Sequence, residues 1–160
     1  MIDGVLETCV YADDLPAAER FYAGVLELPV FARVAERHVF FRCGAGMLLV
    51  FDPQRTASAP GEVGGIPVPA HGAHGAGHVC FRIAGDEMGA WRARLEHAGV
   101  AIEAEITWPR GGSSLYVRDP AGNSVELARR ASGRSATDAL RPAWRVSRRR
   151  PWAPRPRSAR

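Results

Sequence analysis

The 160-residue chain predicts an α+β fold in which one structural unit, a βαβββ module, is used twice. Three observations carry that reading. The composition, 46% hydrophobic, 8% aromatic and 24% charged, is that of an ordinary globular chain, and the length suits one domain. Strand, helix and turn signals fall in the order β-α-β-β-β, cross a Gly/Pro/Ala-rich connection, and recur in the same order. Glu7-Thr8-Cys9-Val10 and His78-Val79-Cys80-Phe81 also stand at the same place in the first strand of each copy, a weak internal repeat.

Module one covers residues 4–51. Its first strand, Gly4 to Tyr11, leads into Asp13-Asp14-Leu15-Pro16, a capping carboxylate followed by a proline in the first helical turn, where a missing N–H costs little. Leu15, Ala18, Phe21, Tyr22 and Val25 then recur at helical spacing and form one apolar face. Val30 to Val34, His38 to Cys43 and Met47 to Phe51 read as three strands separated by short turns. The linker, residues 52–76, carries no predicted element. Module two, residues 77–128, repeats the order with strand Val79 to Ile83, helix Asp86 to Ala98, and strands Ile102 to Trp108, Leu115 to Val117 and Ser124 to Leu127. Each half-sheet then has a helix-covered face and an open face, and the open faces must be closed by each other or by a second chain.

The net charge of +4 is unevenly placed. Residues 1–128 carry 10 Arg against 16 Asp and Glu, a net of −6, whereas residues 129–160 carry 11 Arg against one Asp, a net of +10. The tail, rich in Arg and Pro, reads as a disordered extension rather than an arm for nucleic acid, although Arg148-Arg149-Arg150, Trp144 and Trp152 supply cations and stacking surfaces. No apolar run approaches the ~20 residues of a membrane span, and the start lacks a secretion-signal pattern, so a cytoplasmic location is expected. Cys9, Cys43 and Cys80 form no CxxC spacing, which implies neither a disulfide framework nor a structural zinc site.

Three strings resemble the vicinal oxygen chelate superfamily, which includes glyoxalase I, extradiol dioxygenases and bleomycin-binding proteins. They are Val10-Tyr11-Ala12-Asp13-Asp14-Leu15 leading to Phe21-Tyr22, then Gly77-His78-Val79-Cys80-Phe81, and most specifically Asp119-Pro120-Ala121-Gly122-Asn123-Ser124-Val125-Glu126-Leu127. The resemblance implies two modules forming an incomplete barrel with helices outside. It also implies one divalent metal ion per site (Mn, Fe, Zn, Ni or Mg), held by Glu7, His78 and Glu126. Strand parity agrees with that set: Glu7 travels with Cys9 and Tyr11, His78 with Cys80 and Arg82, and Glu126 with Ser124, all on the face without helices.

The implied chemistry is chelation of adjacent oxygens of a small-molecule substrate by the metal, with Glu126 or Glu7 as the catalytic base, in a glyoxalase-like lyase, isomerase or transferase. An extradiol-type dioxygenase is the first alternative, although such enzymes hold iron with two histidines and one carboxylate, and here Glu7 stands in place of the first histidine. A metal-free, bleomycin-resistance-like binding protein is the second. Trp108, Arg110 and Ser113, on the loop before the seventh main strand, are the expected substrate contacts, combining an aromatic plate, a cation and a hydroxyl. Arg42 and Arg82 are candidate partners of Glu7 or Glu126, while His71 and His74 read as loop residues or part of a substrate lid. The resemblance also implies a homodimer with sites at its interface, drawing ligands from both modules, and neither specific nucleic acid nor membrane is an expected partner.

Overall fold

The computed structural model describes residues 1–59, 61–84, 86–109 and 111–129. Arg110 and the tail from residue 130 onward therefore lie outside the described residues. The elements of module one are β1 (Glu7–Tyr11), α1 (Leu15–Glu19) running into a π-helical turn at Arg20–Val25, β2 (Val30–Val34), β3 (His38–Cys43) and β4 (Gly46–Phe51). The linker holds α2 (Pro53–Ser58) and a small hairpin of β5 (Glu62–Val63) and β6 (Ile66–Pro67). Module two contains β7 (His78–Ile83), α3 (Met88–His97), β8 (Ala104–Thr107), β9 (Ser113–Arg118) and β10 (Ser124–Arg129).

The two main sheets have equivalent strand orders, β1-β4-β3-β2 and β7-β10-β9-β8. In each, the first and last strands of the module pair in parallel and the other neighbours antiparallel. The helices cover one face of each sheet, and the sheets are not closed into a barrel. Val10, Phe21, Tyr22, Phe41, Leu48 and Val50 of module one join Val79, Leu95, Leu115, Val117, Val125 and Leu127 of module two in one core. The other faces stay open in the single chain, where Glu7, Cys9, His78 and Cys80 are all exposed.

Local chemistry explains the element boundaries. The Asp14 side chain accepts the Ala17 N–H at 2.8 Å and caps α1. Asp52 does the same for the Arg55 N–H at 2.7 Å, with Pro53 in the first turn, so the linker, expected to hold no element, opens on a helix. Helix α1 loosens after Glu19, where the Leu26 N–H reaches back five residues to the Phe21 carbonyl at 3.1 Å. The strand expected from Gly4 begins later, at Glu7, and Leu6 is left exposed.

A buried polar cluster bolts the modules together. Residues 119–122 form a tight turn in which the Gly122 N–H meets the Asp119 carbonyl at 2.9 Å and Gly122 takes φ +83°, a value that favours glycine. Asp119 accepts the Tyr22 hydroxyl at 2.8 Å and the Asn123 amide at 2.8 Å. Asn123 also donates to the Tyr11 carbonyl at 3.0 Å and accepts the Gly77 N–H at 2.7 Å. A Cβ at position 77 would stand 3.0 Å from the Asn123 side-chain oxygen, so glycine allows this approach. The Asp and Asn of this motif thus act structurally, fixing the starts of β7 and β10 and so the two strands that carry His78 and Glu126.

Candidate metal and substrate site

Glu126 lies on β10, on the open face of module two, yet is only 9% exposed. The hairpin register puts it opposite Tyr116 on β9 and, across the parallel pairing, beside Cys80 on β7. Its Oε1 accepts the Ser114 hydroxyl at 2.5 Å, and Ser114 in turn accepts the indole N–H of Trp108 at 2.8 Å. Its Oε2 stands 3.5 Å from His78 Nε2. The His78 ring stacks at 22° to Tyr116, with centroids 6.4 Å apart.

The electrostatics follow from one buried carboxylate among neutral donors. Burial first, and then the Glu126 charge, push the Cys80 thiol up to about 12. The same two causes, in the same order, push the Tyr116 phenol up to about 12. Both groups therefore keep their protons at neutral pH and present donors to the site rather than further charge.

The donor set can be tested against a divalent ion. Two ligands at ~2.1 Å from a tetrahedral ion stand ~3.4 Å apart, close to the separation of His78 Nε2 and Glu126 Oε2. An imidazole nitrogen and a carboxylate oxygen also suit the ions named above. The pair fits as half of a metal shell. Glu7 does not complete it within one chain, because among the described residues no three His, Cys, Asp or Glu side chains are placed to hold one ion. Glu7 sits on β1 opposite Met47, in the sheet of module one.

Of the expected substrate contacts, Trp108 stands at the rim, 41% exposed and tied to Ser114, while Arg110 is outside the described residues. Ser113 has the parity of Leu115 and Val117, which fill the core; the serine that reaches Glu126 is Ser114. That register is available from the sequence, since a hairpin centred on Ala121 pairs residue 126 with residue 116. Arg42 does not reach Glu7 or Glu126: it lies 4.4 Å from the Phe31 ring. Arg82 pairs along the strand with Ala128, one step past Glu126 on the same face. His71 lies in the linker loop, as expected, with its Nδ1 2.9 Å from the Tyr11 hydroxyl and its ring 4.7 Å from Phe51.

A hollow of about 940 Å³ lies elsewhere, between α1 and the β2–β3 turn. Four of the charged groups lining it are paired, Arg33 with Glu19 and Arg55 with Glu36, both at 2.8 Å, and neither His78 nor Glu126 lines it. No helix among the described residues is long and apolar enough to cross a membrane.

Comparison with known proteins agrees with the two-module fold. Among solved structures, one described as a lactoylglutathione lyase from Agrobacterium tumefaciens is 42% identical, covers 81% of this chain and 95% of its own, and superposes with a TM-score of 0.73. A glyoxalase/bleomycin resistance protein/dioxygenase from Nocardioides is 20% identical, with 85% of this chain and 89% of that one covered and a TM-score of 0.63. An integron cassette protein from the Halifax Harbour sewage outfall metagenome gives 21%, 81%, 100% and 0.64 for the same quantities. These last two likenesses concern the fold alone. No protein with a curated description matches the sequence significantly. A family model matches residues 4–127, and with the two-module fold this shows that the chain belongs to the Glyoxalase/Bleomycin resistance protein/Dioxygenase superfamily.

Proposed function

We propose that the chain is a metal-dependent, glyoxalase-like lyase or isomerase acting on a small substrate with adjacent oxygens. The observation that carries this reading is the His78–Glu126 pair, a nitrogen and a carboxylate oxygen at the spacing one divalent ion requires. The 42% identity to a lactoylglutathione lyase supports the reaction class. In this reading His78 and Glu126 hold the ion, with Glu7 from a second copy of the chain as the third ligand, so that a homodimer closes the open faces. The bound ion would polarise the substrate oxygens and favour negative charge on them.

The chain's own residues then do the rest. Glu126 or Glu7, loosened from the ion, would take the proton from the carbon beside the substrate carbonyl and return it to the carbonyl carbon, while the substrate's hydroxyl proton passes to the former carbonyl oxygen. Tyr116 and Cys80, both protonated, present donors beside Glu126. Trp108 limits water at the rim. Elemental analysis of the purified protein is expected to find about one divalent ion per chain, and activity is expected on methylglyoxal with a thiol. Protein that refuses Mn, Fe, Co, Ni and Zn at saturation returns the function to ligand binding without metal. A rate confined to catechol with iron(II) and oxygen makes it a dioxygenase.

A further inference from the structure

The relay from Trp108 through Ser114 to Glu126 has only one direction. An indole N–H can donate and cannot accept, whereas a serine hydroxyl has one proton and can do both. With Trp108 Nε1 donating to Ser114 Oγ at 2.8 Å, the serine's own proton is left for Glu126 Oε1 at 2.5 Å. Ser114 is fully buried, between Ala128 on one side and Ile106 on the other, so water does not compete for that hydroxyl. Trp108 is anchored in turn by its backbone, which receives the Gly111 N–H at 2.8 Å and donates to the Gly112 carbonyl at 3.1 Å. In module one the register position of Ser114 is taken by His38, whose Nδ1 is buried without a partner among the described residues, and no equivalent relay is seen there.

We infer that Ser114, its hydroxyl aimed by Trp108, is the positioning residue of the site. By engaging Oε1 it leaves Oε2 alone to face His78, so that Glu126 meets a cation through one oxygen and in one rotamer. The rim tryptophan is therefore one hydroxyl away from the ligating carboxylate, and occupancy of the site is legible at the indole. This inference rests on the metal-centre reading above, and its test separates the two.

The full chain is titrated with Co(II), followed by visible absorption and by tryptophan emission, with Trp108→Phe supplying the background of the remaining tryptophans. Wild type is expected to bind Co(II) and to change its Trp108 emission on binding. Ser114→Ala, expected to keep the wild-type melting profile to within a few degrees, should bind Co(II) about 10–100-fold more weakly, the usual effect of losing a group that orients a ligand. It should also show a weaker visible band, because a freed carboxylate can bind through both oxygens and raise the coordination number. Trp108→Phe keeps the ring and the serine but loses the aim, and should fall between the two. Ser114→Ala and Trp108→Phe that both bind with wild-type affinity and spectrum overturn the inference while leaving the metal centre standing. Wild type that binds no Co(II) overturns both. Where Ser114→Ala fails to fold, the affinity and spectrum of Trp108→Phe decide.

Discussion

The open faces of the two modules share a backbone and differ in chemistry. Register makes Cys9, Leu49, Phe40 and His38 of module one the counterparts of Cys80, Glu126, Tyr116 and Ser114 of module two. In module two these side chains surround a carboxylate with donors. In module one His38 stacks on Phe40 at 4.0 Å, Phe51 meets Phe40 edge-on at 5.3 Å, and Arg42 lies over Phe31, which makes an aromatic wall. The turns differ as well. Module one joins β3 to β4 through Gly44 and Ala45 alone, whereas module two uses the longer turn whose Asp119 and Asn123 clamp both modules. A repeated fold thus supplies two equivalent platforms, and the polar clamp, rather than the sheet, marks the one that carries the His78–Glu126 pair.

The contrast can be broken most completely at Glu126. Glu126→Leu installs the module-one residue and is expected to abolish divalent metal binding by elemental analysis. Its unfolding free energy in urea should fall by about 1–3 kcal/mol, since the buried Ser114 hydroxyl loses its acceptor. The mirror change, Leu49→Glu, places an unpaired carboxylate on the aromatic wall and should cost about 3 kcal/mol by the same measurement. Asn123→Ala removes the bonds to Tyr11, Gly77 and Asp119, leaving the half-buried Gly77 N–H and the buried Asp119 carboxylate each short of a partner. A loss of about 2–4 kcal/mol is expected, together with weaker metal binding as the starts of β7 and β10 loosen. Tyr22→Phe deletes only the bond to Asp119, for about 1.5–3 kcal/mol.

The smallest effect is a pH dependence confined to module one. Burial first, and then the Arg37 charge, lower the His38 ring below its usual 6.5. Below about 6.5 the unfolded chain takes up a proton that the folded chain resists, so stability falls as the pH drops through that value and levels off once the folded ring also titrates. His38 is partly exposed, so the contribution should stay under about 1 kcal/mol. Comparing urea midpoints of wild type and His38→Phe between pH 7.5 and 5 should isolate it; parallel curves would show that His38 carries none of the dependence.

Much of the fold is legible in the sequence alone. Periodicity and turn chemistry give the repeated element order, and parity puts Glu7, His78 and Glu126 on open faces. Parity says which face a side chain takes, however, and not which faces meet, so it cannot tell that Glu7 stays apart from the other two in a single chain. The linker hides α2 because its glycines and prolines outweigh the Asp52-Pro53 start signal. Loop composition favours Ser113 as a site residue, whereas the β9–β10 register selects Ser114. The clamp is hidden for a different reason: Asp119 and Asn123 bond to Tyr22, Tyr11 and Gly77, and nothing local announces partners so distant.

That distance has a consequence in time. The Asn123 amide closes on the Tyr11 carbonyl across 112 positions, so the last turn of the domain is joined to its first strand. During synthesis module one can collapse early, but the strand starts that bring His78 and Glu126 together wait until residue 123 has emerged and found β1. Completion of the site is thus among the last events of folding, and module two released alone would be built without the strand on which its final turn comes to rest.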